Sequence, residues 1–388
     1  MREPVLVSGA ARRSRTLLTG YFLGLGVVMA LWGARMPAVQ DAAGLSTGDL
    51  SLVLLAAAFG MVTGLRAGGR LARPERLPAL LTLGGIGLAA TLAALGQCRT
   101  LPELLVTAVV FGLAHGVLDI AVNTAAVRCQ NATGRPIMAS LHAAYSIGAL
   151  GGATLAAVTA HIPHDRLFLA TGMVLAGCAG TAVRRTRALT GTDQATAPGS
   201  GDHLRRAAAL PQGRMWLLGA LAAATLLGEG AAADWAAVHL HHLDATTAVS
   251  AMAFALYSGA MALGRLAGDR LTTAFGAPAL VRAGAALAAT GLTAGTLTQS
   301  IPVALTGWTL FGLGLATTVP SLITAAGHGG AQAMATVSVT GYLGLMAGPA
   351  FIGALATLTT LTTALLLPAL LAAAVATFAH RALENTNP

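Results

Sequence analysis

Gly64-Leu-Arg-Ala-Gly-Gly-Arg-Leu71 returns 200 residues later as Gly264-Arg-Leu-Ala-Gly-Asp-Arg-Leu271. Working outward, Leu101-Pro102 returns as Ile301-Pro302 and Phe111-Gly-Leu113 as Phe311-Gly-Leu313, at the same offset. Farther on, Met138-Ala139 and Gly148 fall on Met334-Ala335 and Gly344, at an offset of 196. Self-similarity at one long spacing implies two equivalent halves in the same orientation. In an apolar chain, parallel halves suit alternating access, each rocking against the other about a site between them.

The chain is apolar enough for that reading. Hydrophobic residues make up 55% of its 388 positions and charged residues 10%, against about 25% charged in an ordinary soluble domain. A span needs about 20 mostly apolar residues. Twelve such stretches are legible: 16–38, 49–70, 78–97, 102–127, 138–160, 165–184, 214–238, 247–268, 278–298, 302–326, 332–356 and 359–380. They are numbered spans 1 to 12 below. The first is too long for a signal-peptide core and no small-residue cleavage site follows it. The expected fold is an all-α polytopic membrane protein with twelve transmembrane helices in two parallel six-helix halves. The expected halves are 1–185 and 214–388, joined by a polar linker at 186–213 that contains Pro-Gly-Ser-Gly-Asp.

All basic residues are arginine. With the N-terminus placed in the cytoplasm, the inside segments hold Arg2, Arg12, Arg13, Arg15, Arg66, Arg70, Arg73, Arg76, Arg128, Arg135, Arg265, Arg270, Arg282, Arg381 and the six arginines from Arg184 to Arg214. Only Arg35, Arg99 and Arg166 fall outside. That bias satisfies the positive-inside rule with both termini cytoplasmic. The net charge of +9 is therefore topological, with anionic lipid as its partner, and nucleic acid is excluded. The three cysteines, Cys98, Cys129 and Cys178, show no CxxC pair and read as packed thiols.

Several motifs narrow the class. Gly264-Arg-Leu-Ala-Gly-Asp-Arg270 reads as a cytoplasmic loop between spans 8 and 9, with glycines for close helix approach and Asp269 and Arg270 as a latch on helix ends. Its first copy keeps Arg66 and Arg70 but has Gly69 where the aspartate is expected. Alongside it stand Phe111-Gly-Leu-Ala-His-Gly-Val-Leu-Asp119 running to Asn123, Gly134-Arg-Pro-Ile-Met138 leading to His142, Gly228-Glu-Gly230 followed by Asp234-Trp235, and Gly312-Leu-Gly314 running to Val319-Pro320. Together these resemble the major facilitator superfamily, and within it the bacterial group labelled YbjJ-like, akin to sugar permeases of the fucose type. The resemblance covers nearly the whole chain. It implies a secondary transporter for a small solute, and an acidic coupling residue on span 4.

Ionisable residues inside spans are costly and mark cavities or pairs. His115, Asp119 and Asn123 stand at i, i+4 and i+8 on span 4 and share one helix face. They either line a central cavity, with Asp119 and His115 as proton-coupling groups, or bond one another and pin helices. Glu229 on span 7 is a second coupling candidate. It is placed either to carry a proton or to pair with Arg35, which ends span 1. Arg35 is equally placed to hold an anionic solute. Asn123, His142, Tyr145, Trp32, Asp234 and Tyr342 complete the candidate cavity. Pro349, among Gly341, Gly344, Gly348 and Gly353, predicts a bend in span 11.

The expected activity is proton-linked transport of a small, sugar-like solute across the inner membrane by a monomer. The alternatives are an efflux antiporter on the same fold and, remotely, a membrane metal enzyme or sensor using His115 and Asp119. No enzyme activity, cofactor or metal is expected: His239, His241, His242 and Asp244 read as an interfacial polar turn. The absence of a phosphate loop and of any lysine speaks against ATP-driven transport.

Overall fold

The computed structural model describes residues 9–187 and 210–384. The polar linker lies almost entirely outside them. The described residues hold twelve helices long and apolar enough to cross a membrane: Arg12–Ala34, Thr47–Leu71, Pro74–Gln97, Leu101–Thr133, Met138–Val158, His164–Val183, Gln212–His241, Thr247–Phe275, Ala277–Thr296, Ile301–Gly327, Gly330–Leu358 and Leu361–Leu383. All twelve expected spans are present. The largest difference at an end concerns the repeated motif. Its second copy is not a loop, because span 8 continues as helix to Phe275. The first copy likewise lies on span 2, which ends at Leu71. Span 4 also runs on to Thr133 and stops at Gly134, whose φ of 63° places it in the left-handed region that glycine adopts freely.

The helix starts repeat as the sequence does. Span 2 opens on Ser46, whose hydroxyl accepts from Asp49 N–H at 3.1 Å while the Asp49 carboxylate accepts from Ser46 N–H at 3.0 Å. Span 8 opens 200 residues on at Thr246, which accepts from Val249 N–H at 3.4 Å. The first is a reciprocal pair and the second a single bond, and both satisfy orphan donors at the first turn. Spans 4 and 10 both begin with proline in the first turn, where its missing N–H costs nothing.

Contacts divide the chain into two units. One gathers spans 1 to 4, span 5 from Ala144 onward, span 6 and the short segment Gly330–Ala335. The other gathers Arg135–Ala143, spans 7 to 10, span 11 from Thr336 and span 12. Inside each unit the tightest crossings are glycine against main chain. A Cβ built on Gly112 of span 4 would overlap the Ala57 carbonyl of span 2. In the second unit, a Cβ on Gly312 of span 10 would overlap the Tyr257 carbonyl of span 8. The same equivalence links spans 1 and 5 to spans 7 and 11: Gly148 lies against the Leu23 carbonyl and Gly344 against the Ala223 carbonyl. The second unit is filled around Trp308, Phe311, Tyr257, Leu315 and Leu292. Trp308 donates its indole N–H to Nδ1 of buried His239 at 3.2 Å, while Nδ1 of His242 bonds its own helix at Val238 O. These histidines therefore face different surroundings.

Two prolines stand inside spans of the second unit. Pro349 lies inside a continuous span 11. Span 10, expected to be one helix, breaks between Leu315 and Thr318, a turn before Pro320. Its counterpart span 4 has Ile120 at the equivalent place and is unbroken.

Because the crossings leave no room for a side chain, Gly112→Val is expected to cost more than any apolar substitution on the lipid-facing side. The expected outcome is a large drop in melting temperature in detergent, or aggregation on size-exclusion chromatography. Gly33→Ala, whose Cβ would meet nothing within 4 Å, should melt like the parent.

Candidate functional site

The first unit carries its polar stripe on span 4. His115 and Asn123 are buried, and Asp119 between them is half-buried. The Asn123 side-chain amide donates to Oδ1 of Asp119 at 3.2 Å and to the Asp119 carbonyl at 2.9 Å. The helix thus joins two of the three predicted residues, as their spacing of four requires. Asn123 spends its amide donor on Asp119 and keeps its own Oδ1 buried without a hydrogen-bond partner. A buried acceptor left unmade costs about 1–3 kcal/mol, so this oxygen is set to receive a donor from a solute or from water.

The second unit carries a different arrangement. Glu229 of span 7 meets Arg265 of span 8, with Nη2 to Oε1 at 3.4 Å and both side chains largely buried. Arg265 also donates Nε–H to the Ala316 carbonyl at 3.4 Å. That carbonyl sits four residues before Pro320 and would otherwise accept from residue 320, where proline has no N–H. Arg265 therefore both neutralises Glu229 and occupies the acceptor freed at the break in span 10. The sequence motif places Arg265 in a cytoplasmic loop, among the arginines counted as inside. It belongs instead to the interior of span 8. The signal that locates it is the repeat: Leu65 and Met29 of the first half stand where Arg265 and Glu229 stand in the second. An opposite-charge pair thus replaces an apolar pair at equivalent positions.

Arg35 is held within the first unit. Its guanidinium donates to the Thr159 carbonyl, to Ala160 O at 3.4 Å and to Thr159 Oγ1 at 3.3 Å. It caps the carbonyls that end span 5. Trp32 is packed between Phe111 and Phe168, with ring centroids 5.5 and 6.4 Å away. Its burial of all but 4% follows from that aromatic cluster. Asp234 is exposed, whereas His142, Tyr145 and Tyr342 are half-buried; His142 belongs to the second unit and Tyr145 to the first. Cys98 and Cys129 are buried as expected, but Cys178 is exposed.

The repeated motif does different work in its two copies. In the second, the Asp269 carboxylate accepts from the backbone N–H groups of Ala139 at 3.0 Å and Ser140 at 3.3 Å, the first turn of span 5. A carboxylate at a helix N-terminus meets orphan donors and the positive end of the dipole. Gly264 lies against Ala316, and Arg270 is exposed. In the first copy, Gly69 has no room for an aspartate: a Cβ there would stand 2.5 Å from Ala335 Cβ and 3.1 Å from the Ala331 carbonyl. Arg66 and Arg70 are exposed on the same helix. A close glycine contact replaces the carboxylate cap.

No family model matches the chain. It is 32% identical over 386 residues to an uncharacterized MFS-type transporter of Yersinia pestis, covering 98% of both chains. It is 30% identical over 377 residues to the uncharacterized transporter y4wD of Sinorhizobium fredii, covering 94% of this chain and 97% of that one. Among solved structures it is similar to FucP, the fucose:proton symporter of E. coli. The outward conformation of FucP gives a TM-score of 0.73 at 17% identity, covering 97% of this chain and 100% of the other.

The buried pair gives a double-mutant test. Arg265→Met, which strands Glu229 and the Ala316 carbonyl, should lose about 3–5 kcal/mol, read by denaturation in detergent. Adding Glu229→Gln to it should recover much of the loss. Equal stability of the two variants would show the pair to be uncoupled. With twelve spans, the expected symmetry and relatives of matching length, the chain belongs to the major facilitator superfamily, a family of multi-pass membrane transporters.

Proposed function

We propose that this transporter moves a small, hydroxyl-rich, sugar-like solute together with protons, working by alternating access as a monomer in a bacterial inner membrane. The observation that carries the reading is the span 4 site: a half-buried carboxylate, Asp119, held by a buried amide, Asn123, whose oxygen awaits a donor. A carboxyl group in this position exchanges roles with its charge. Ionised, it accepts from Asn123 and from a solute hydroxyl. Protonated, it gives up that acceptor and sheds a charge that is expensive in hydrocarbon. Proton and solute occupancy are thereby linked through one side chain. The fold likeness to a fucose:proton symporter supports the same reading, as does the acidic residue on span 4 that the resemblance leads one to expect.

Glu229 takes another role in this proposal. Its charge is already matched by Arg265, so the pair acts as a clamp at the break in span 10 and coupling rests on Asp119, with His115 one turn away. Asp269, Gly264 and Arg270 serve as a gating contact that must release during the cycle.

The test uses proteoliposomes loaded with a pH-sensitive dye and challenged with a panel of monosaccharides, L-fucose included. A transported sugar should acidify the lumen. Asp119→Asn should abolish that proton movement while leaving sugar counterflow measurable, and Asp269→Ala should slow both. Accumulation by Asp119→Asn against a gradient under an imposed pH difference would remove Asp119 as coupler. A panel in which no sugar moves protons would remove the sugar-like solute.

Both termini are proposed to face the cytoplasm, on the arginine distribution. A green fluorescent protein fused after Pro388 should fluoresce, and alkaline phosphatase at the same place should be inactive. The reverse pattern would invert the topology.

A further inference from the structure

The first unit contains a half-open cavity of about 630 Å³ that none of the transport residues enters. It is lined by residues of spans 1, 3 and 6 and by Leu118 of span 4. The walls are mostly apolar, and the space beside span 1 is open at Gly20, where a Cβ would meet nothing within 4 Å. One end differs. Arg12 and Arg13, both exposed, line it at the start of span 1.

Along span 1 the lining runs from Arg12 to Val28, about 24 Å at 1.5 Å per residue. Half of a hydrocarbon core of about 30 Å is about 15 Å. The groove is therefore long enough for one acyl chain of a single leaflet plus the headgroup above it. An uncharged apolar solute would leave the arginines unmatched, and a soluble anion would leave the apolar length empty. A molecule with an anionic head and a hydrocarbon tail satisfies both ends, and the bilayer supplies it at high concentration.

We infer that this cavity is a binding site for an anionic glycerophospholipid, with its phosphate at Arg12 and Arg13 and one acyl chain lying between spans 1, 3 and 6. Bound there, the lipid replaces the side-chain packing that Gly20 omits and backs the helix that carries Asp119, on the side that Leu118 presents. The inference does not depend on the identity of the transported solute.

The test takes the full-length protein into nanodiscs of equal parts phosphatidylglycerol and phosphatidylethanolamine, with native mass spectrometry of the released protein. The expected result is one retained phosphatidylglycerol, enriched on the order of ten-fold over phosphatidylethanolamine, as two nearby arginines would give. Arg12→Gln with Arg13→Gln should remove the enrichment, and Gly20→Phe should empty the cavity. Equal retention of both lipids, no retained lipid, or wild-type retention by Gly20→Phe would overturn the site. Cys178 gives a second reading without substitution, because it is exposed and lines the cavity while Cys98 and Cys129 are buried. Its alkylation by N-ethylmaleimide should be several-fold slower in phosphatidylglycerol nanodiscs than in phosphatidylethanolamine ones, and equal rates would count against the lipid.

Discussion

The close approach of helix backbones at glycine is the constraint on which the rest of this protein depends. In hydrocarbon there is little hydrophobic drive for one apolar helix to leave lipid for another, so association rests on contact area and fit. Gly112 against the Ala57 carbonyl, and Gly312 against that of Tyr257, bring main chains to a distance that no other residue permits. The crossings of spans 1 with 5 and 7 with 11 use the same device.

Upon that shared frame the two units carry unlike chemistry. The first keeps an unbroken span 4 and places a single carboxylate, supported by Asn123, on its buried face. The second exchanges Leu65 for Arg265, Met29 for Glu229 and Ile120 for Pro320. These three changes form one assembly, because the proline frees the Ala316 carbonyl, the arginine occupies it, and the glutamate balances the arginine. A buried arginine without Glu229 would be an uncompensated charge, and a broken span without Arg265 would leave an unmet acceptor. Asp269 and Gly69 show the same divergence on a smaller scale, with a charged cap in one copy and a bare backbone contact in the other.

The number of spans, their positions and the duplication are legible in the sequence because each depends on local properties. Twenty apolar residues must form a helix in lipid, proline and Ser-x-x-Asp mark where helices begin, and a repeat is visible wherever it has not diverged. The stripe of His115, Asp119 and Asn123 is legible for the same reason, since residues four apart on one helix meet without help from elsewhere. What the tertiary structure decided is which side chains from different helices meet. Arg265 pairs with Glu229, Arg35 binds the carbonyls that follow span 5, Trp32 fills an aromatic cluster, and Cys178 lines a cavity. Each of these depends on the rotation and separation of two helices. Those are set by packing summed over the whole crossing, and no short stretch of sequence contains that sum.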